Sequence, residues 1–258
     1  MIKIYSKDEI ERIADSGKIL AKVFGELKKE IKIGVSLKYL DQIAYKSIKK
    51  AGAEPAFLGY QPEGAEHPFP YTVCASINEV IVHGRPSDYK LKSGDVLKID
   101  CGVKYKGYYS DSAFTFIIDK VPKEVEKLVK ATYLALEEGI KQARAGNRLG
   151  DIGWAIENTA KKFGVKVIRE LTGHGIGKNL HEDPTIYNFG PSPFSKRVSK
   201  GETELKTGMV LAIEPMFSLG ADKIVQKKDE SWATADGSLS AHFEHTVAIT
   251  EKGSRILT

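Results

Sequence analysis

Two stretches of this 258-residue chain, GVSLKYLDQIAYKSIKKAG at 34–52 and GNRLGDIGWAIENTAKKFG at 146–164, superimpose without a gap. Gly34 meets Gly146, Leu37 meets Leu149, Lys49-Lys50 meet Lys161-Lys162, and Gly52 meets Gly164. Each stretch repeats apolar residues at helical spacing: Leu40, Ala44 and Ile48 in one, Ile152, Ile156 and Ala160 in the other. Ser36 is a candidate N-cap for the first helix. Any two amphipathic helices align to some degree, so the elements around them decide. Ahead of the first lies the series Ile10, Ile13, Gly17, Leu20, Phe24, Leu27 and Ile31, which reads as a long helix stopped by Gly34. Ahead of the second lie Val125, Leu128, Thr132, Leu136 and Ile140, after Pro122 at a favourable helix start. Strand-like runs follow in both cases: 71–76, 80–83, 96–103 and 108–118, then 166–169, 209–217, 231–235, 242–250 and 255–257. The order helix, helix, strands occurs twice, and duplication accounts for it best. The expected fold class is α+β, with two pseudo-symmetric halves at about 4–118 and 119–258 sharing a sheet under packed helices. No Pro- or Ser-rich linker separates them, so residues 1–258 read as one domain.

Composition sets the outer bounds. Hydrophobic residues make up 41% and charged residues 28% of the chain, which excludes a disordered or collagen-like polymer. No apolar run approaches the length of a membrane span. The start MIKIYSKDEIERIADSGK is charged from Lys3 and has no apolar signal core. Cys74 and Cys101 are the only cysteines; they could form one bridge but no framework, and a reducing cytoplasmic location is expected. Net charge is +5 with the lysines scattered, so no specific nucleic-acid partner is expected.

Several acids and histidines stand where acids and histidines are costly. In VLKIDCGVKYKGYYSDSAFTF at 96–116, a two-residue turn at Tyr105-Lys106 would set Asp100 opposite Asp111 on paired strands. Two buried like charges repel, and a divalent cation between them reverses the sign. Taken alone, a loose hairpin with one Asp in solvent fits as well. In TGHGIGKNLHEDP at 172–184, three glycines surround His174, allowing close backbone approach or positive φ, and His181 follows. That spacing is not the helical pair of a zinc protease; it fits one ligand and one substrate-contacting histidine on a loop. Glu214 in MVLAIEPMF and Glu244 in LSAHFEHTVAI each interrupt an apolar strand, Pro215 marking a strand end. Together, two Asp, two Glu and one His suit two divalent ions of the Mn, Fe, Co or Zn kind rather than a thiolate zinc site. His242, two residues before Glu244, is expected on the same strand face, tuning a ligand by hydrogen bonding.

The motifs INEVIVHG at 77–84, KIDCGVKYKGYYSDSA at 98–113, GHGIGKNLHEDP at 173–184, AIEP at 212–215 and SAHFEHT at 240–246 resemble those of type I methionine aminopeptidases, a likeness running from Ile4 to Thr250. The resemblance implies the pita-bread fold, whose two halves share one antiparallel sheet. It implies metal ligands at Asp100, Asp111, His174, Glu214 and Glu244 for two divalent ions, with Asp111 and Glu244 bridging, and a monovalent cation held by backbone carbonyls near Asn78, Val80 and Ser240. It implies hydrolysis of the amide after an N-terminal Met of a nascent polypeptide when the next residue is small. Glu244 would shuttle the proton, His181 would stabilise the oxyanion and His83 would contact the scissile amide. The methionine pocket would be Phe57, Tyr60, Phe69, Cys74, Leu180 and Trp232, and the enzyme would be a monomer.

The chain departs from that pattern in two places. About six additional residues lie between Tyr60 and Cys74, and His242 stands where similar enzymes often carry Gln. A proline-type peptidase of the same fold is the competing reading, and a metal-free binding module the third; the intact set of five ligand positions argues against the latter. Lys196, Arg197 and Lys200 in SPFSKRVSKGETELK could meet rRNA phosphates at the ribosome, against the plainer reading of a solvated charge run. Ile2 is large and β-branched, so Met1 is expected to be retained.

Overall fold

The computed structural model describes residues 1–61, 66–191 and 203–258. The first half contributes α1 (Lys7–Glu30), α2 (Leu37–Lys50), β1 (Glu54–Pro55), β2 (Val73–Ile77), β3 (Val80–Val82), β4 (Val96–Tyr105) and β5 (Tyr108–Ile117). The second contributes α3 (Lys123–Gln142), α4 (Leu149–Phe163), β6 (Lys166–Val167), β7 (Thr172–Gly175), β8 (Glu182–Tyr187), β9 (Val210–Ile213), β10 (Met216–Ser218), β11 (Ile224–Gln226), β12 (Trp232–Thr234), β13 (Ser240–His242), β14 (Glu244–Thr250) and β15 (Gly253–Ile256). Local signals explain the helix starts. Ser6 and Glu9 form a capping box on α1, and the Ser36 hydroxyl accepts the Tyr39 N–H at 3.2 Å on α2.

A nine-stranded antiparallel sheet runs β1-β4-β5-β14-β9-β7-β8, with β2 also on β4 and β15 on β14. Its seam is β5 against β14, where Glu244 faces Ala113 and His245 faces Ser112. Helices α1 and α2 bury Leu20, Leu27, Leu40 and Ile48 on Leu97, Ile99 and Val103 of the first half. Helices α3 and α4 bury Leu128, Leu136, Ile152 and Ile156 on Leu211, Val247 and Ile249 of the second. The result is the pita-bread arrangement of two like halves on one sheet.

Three sequence expectations change. The β4–β5 turn is Lys106-Gly107, not Tyr105-Lys106, and Tyr105 pairs with Tyr108. Both turn residues have positive φ, 49° and 83°, as a two-residue hairpin of right twist requires, and glycine takes the second without strain. Asp100 therefore faces Ala113 and Asp111 faces Gly102. The two aspartates are diagonal neighbours on one face rather than direct partners. The runs 209–217 and 242–250 are each broken, at Glu214-Pro215 and at Phe243, and β7 and β8 are strands where a loop was expected. Cys74 and Cys101 are buried and free; Cys101 faces Val73 and Cys74 faces Asp100, so they point to opposite sides of the sheet. Lys196, Arg197 and Lys200 lie outside the described residues. No helix among the described residues is long and apolar enough to cross a membrane.

Helix α1 rests on the segment that follows β15 through a glycine. A Cβ on Gly17 would lie 2.0 Å from the Leu257 carbonyl oxygen, whereas one on Gly25 would meet nothing within 4 Å. Gly17→Ala is expected to cost about 1–3 kcal/mol, as overpacking does, and to lower Tm by about 2–10 °C. Gly25→Ala should be neutral or stabilising by up to about 1 kcal/mol through helix propensity. Thermal unfolding of the two variants checks the contrast; equal losses would contradict this packing.

Candidate metal centre and substrate cleft

The five candidate ligands arrive on five different elements around the sheet seam. Asp100 and Asp111 sit on β4 and β5, Glu244 opens β14, Glu214 follows β9, and His174 lies on β7. The two glutamates mark places where the chain changes sheets. After Ile213 the chain leaves the nine-stranded sheet and at Met216 joins the three-stranded sheet β13-β10-β6. It leaves that sheet at His242 and returns at Glu244. Pro215 carries no N–H for a ladder, which makes the crossing natural at that point. His174 is placed by close strand packing. A Cβ on Gly173 would lie 2.3 Å from Ala212 O, and one on Gly175 2.1 Å from Asp183 O. Neither glycine has positive φ, so close approach is what they provide.

Ligand atoms of Asp111, His174 and Glu244 lie within 4.8 Å of one another, as do those of Glu214, His242 and Glu244. His174 Nε2 is 3.7 Å from Glu214 Oε1. Its Nδ1 lies 2.9 Å from Gly175 O, and donation there leaves Nε2 as a free lone pair toward the carboxylates.

Burial pushes Asp100 and Glu214 up to about 7. It lifts Asp111 and Glu244 well above the carboxylate range, with the neighbouring acids adding to the effect. Asp100 Oδ1, Glu244 Oε1 and both ring nitrogens of His242 are buried without a hydrogen-bond partner. Orphaned oxygens on crowded acids have the wrong environment for anions and the right one for cations. The donor set therefore fits divalent ions.

His242 turns inward, as expected from its spacing. It is 1% exposed, and its Nε2 is 3.3 Å from Glu214 Oε2. Its ring nitrogens make no hydrogen bond, so the expected tuning of a ligand by hydrogen bonding is absent from this structure. Phe243 packs edge-on against Phe114 and Tyr133, and the His245 Nδ1 lies 2.9 Å from the Thr258 hydroxyl, both away from the acids.

His83 and His181 differ from the ligand set in being exposed. His83 holds a left-handed conformation at φ 58°, which costs on the order of 1–3 kcal/mol. The adjoining backbone is clamped: Ala75 N–H donates to Gly84 O at 2.8 Å and Gly84 N–H to Ser76 Oγ at 3.0 Å. His181 packs edge-on against His174 with ring centres 4.4 Å apart, and its Nδ1 is 2.7 Å from the Tyr60 hydroxyl. Phe57, Cys74 and Leu180 belong to one apolar cluster, with Tyr60 and Phe69 packed against it. Trp232 does not join them; it packs with Ile81, Val82 and Met216 beside β3. The longer segment after Tyr60 leaves this grouping intact, because Gly59 N–H donates to Phe69 O and Phe69 N–H to Tyr60 O, both at 2.8 Å.

Sequence reading missed the hydroxyls that tie the two halves together under the acids. Thr246 Oγ1 donates to Asp111 O at 2.8 Å and accepts the Asp111 N–H at 2.9 Å. Ser112 Oγ donates to Glu244 O at 2.7 Å, and Thr115 Oγ1 donates to His242 O at 2.6 Å. All sit one or a few residues from an expected ligand, and a Ser or Thr in a strand facing the seam was the available signal.

A model of metallopeptidase family M24 matches residues 11–251. The methionine aminopeptidase of Aquifex aeolicus is 45% identical, covering 100% of this chain and 98% of that protein. The crystal structure of the methionine aminopeptidase from Thermotoga maritima matches with a TM-score of 0.92 at 40% identity, covering 100% of this chain and 99% of that one. The prolidase from Pyrococcus furiosus matches at 0.75 with 24% identity and 65% of its length covered, a likeness of fold alone. The proline-type reading is thus not favoured, and the chain belongs to metallopeptidase family M24, among its methionine aminopeptidases.

Proposed function

We propose that this chain, acting as one catalytic domain over residues 1–258 on nascent polypeptides, removes N-terminal methionine when the second residue is small. Its family makes it a metallo-aminopeptidase and a hydrolase. The observation that carries the finer reading is the convergence of four buried or half-buried acids and His174 beside two exposed histidines and an apolar cluster. Asp100, Asp111, His174, Glu214 and Glu244 would hold two divalent ions, from among Co, Mn, Fe and Zn. When bound, such ions polarise the scissile carbonyl and acidify water enough for attack at neutral pH.

The chain's own groups do the remaining work. Glu244, with one oxygen unpartnered, accepts the proton from the attacking water and passes it to the leaving amine. With the Tyr60 hydroxyl donating to His181 Nδ1, the proton of that ring sits on Nε2, ready to donate to the carbonyl oxygen as charge builds there. Surrounding protein lowers the His181 pKa, with His174 adding to the effect, so the ring stays neutral. His83 faces the amide nitrogen and the residue beyond it. The cluster of Phe57, Tyr60, Phe69, Cys74 and Leu180 receives the unbranched thioether.

Three outcomes test this reading. Asp100→Asn and Glu214→Gln are each expected to reduce Met-Ala-Ser hydrolysis to background and to lower bound metal after chelation and reloading, with circular dichroism unchanged. Wild-type turnover by either variant would remove the two-ion reading. His181→Ala should lower kcat by about 10²–10³, the usual loss for one oxyanion donor, at unchanged metal content; loss of one metal equivalent would make His181 a ligand. Met-Ala-Ser should exceed Met-Ile-Ser in kcat/KM by at least about 10-fold, the order of one misplaced methylene or more in a closed pocket. Equal values would mean that the cleft beyond the scissile bond is open.

A further inference from the structure

Lys98 is the largest side chain buried to less than 2% exposure in the described protein, and the metal chemistry does not use it. It lies on β4 two residues before Asp100, pairing in register with Ser76 on β2 and Thr115 on β5. No carboxylate forms an ion pair with it among the described residues; its Nζ reaches backbone oxygens instead, Asn78 O at 2.7 Å and Val96 O at 3.4 Å.

Those oxygens belong to a constructed cradle. Asn78 adopts a left-handed conformation at φ 55°. Its side chain is fixed by the Val96 N–H donating to Oδ1 at 2.9 Å and by donation from Nδ2 to Asp95 at 3.1 Å. Its carbonyl therefore points at one place, where the Ser240 N–H and Ser240 hydroxyl also meet it, each at 3.1 Å. The same hydroxyl lies 3.3 Å from Val80 O. Converging carbonyls of this kind are what a monovalent cation uses in place of its hydration shell.

The monovalent cation that the sequence resemblance implies at Asn78, Val80 and Ser240 does not fit here. The Asn78 carbonyl already accepts three donors, and the Lys98 nitrogen stands at the shortest of those contacts. We propose that the amino group of Lys98 takes the place of that cation, so that this chain needs no potassium or sodium to hold the cradle together. Burial pulls the Lys98 pKa down to about 7, with Glu79 and Asp95 pulling it up; protonated or not, the nitrogen can donate to the Asn78 and Val96 carbonyls. The contact also has a position to hold. It joins the β2–β3 turn to β4 and to Ser240 of β13, and so ties together the strand that precedes His83 and the strands that carry Asp100 and His242.

The test compares choline chloride, NaCl and KCl at about 0.15 M, near one physiological ionic strength, with the metal-loaded full chain. Wild type should show the same Tm and the same Met-Ala-Ser turnover in all three. Lys98→Asn vacates the space and leaves the carbonyls; its Tm should fall in choline and recover by about 3–6 °C in KCl or NaCl, the gain expected for an ion with a Kd near 10 mM. Lys98→Met, which fills the space with an apolar chain, should lose stability and show no alkali response. A wild-type enzyme whose Tm or turnover rises in KCl or NaCl over choline would overturn the proposal, as would a Lys98→Asn protein indifferent to the salt. If that variant does not fold, the wild-type comparison decides alone. The unfolding measurements do not depend on the peptidase reading, so the two fail separately.

Discussion

Repulsion among Asp100, Asp111, Glu214 and Glu244 is the constraint around which this structure is arranged. Like charges about 4 Å apart cost on the order of 4 kcal/mol even at an effective dielectric of 20, and ligand atoms of Glu244 lie within 4.8 Å of those of both Asp111 and Glu214. A chain folding for stability alone would not collect these groups on one face of a buried sheet. The fold assembles them by drawing each from a different strand or strand end, so that no local segment bears the whole cost. Backbone-directed hydroxyls then hold the frame. Thr246, Ser112 and Thr115 each make a short hydrogen bond to the main chain of a strand bearing one of the acids or His242. Those bonds do not depend on the charge state of the acids, which lets the frame persist while the acids change partners.

The duplicated architecture explains why the acids meet where they do. Strands β5 and β14 meet at the seam, and each half supplies two acids there. The second half crosses between sheets at Glu214-Pro215 and at Phe243, which leaves Glu214 between strands and puts Glu244 at the first residue of β14. The first half keeps its aspartates inside the continuous hairpin β4–β5. The halves are alike in fold and unlike in how they present a carboxylate.

Much of this was legible in the residues. The helix repeat announced two like halves, Ser36 announced a cap, and acids in apolar strands announced a charged centre. What remained hidden was geometric. The Lys106-Gly107 turn could be placed only by knowing that both residues adopt positive φ, and a one-residue error there moved the pairing of Asp100 and Asp111 by two. The runs around Glu214 and Glu244 looked continuous because hydrophobic alternation does not report a change of sheet. Gly173 and Gly175 looked like loop glycines; only the opposing backbone oxygens reveal them as strand residues packed too closely for a side chain. Trp232 matched the pocket by type but lies on another apolar cluster, and the Tyr60–His181 contact joins residues 121 positions apart that share no pattern.

The raised pKa values of the four carboxylates make the centre an exchanger. Before any metal enters, the folded chain binds more protons there than the unfolded chain does, because burial favours the neutral acids. Loading a divalent ion must expel those protons into solution. Uptake is therefore a competition between two kinds of cation for one set of oxygens. Acidification returns the site to protons, and alkalinity favours metal or, in its absence, exposes the fold to the full repulsion of its own acids. Metal supply and pH act on this site as one variable.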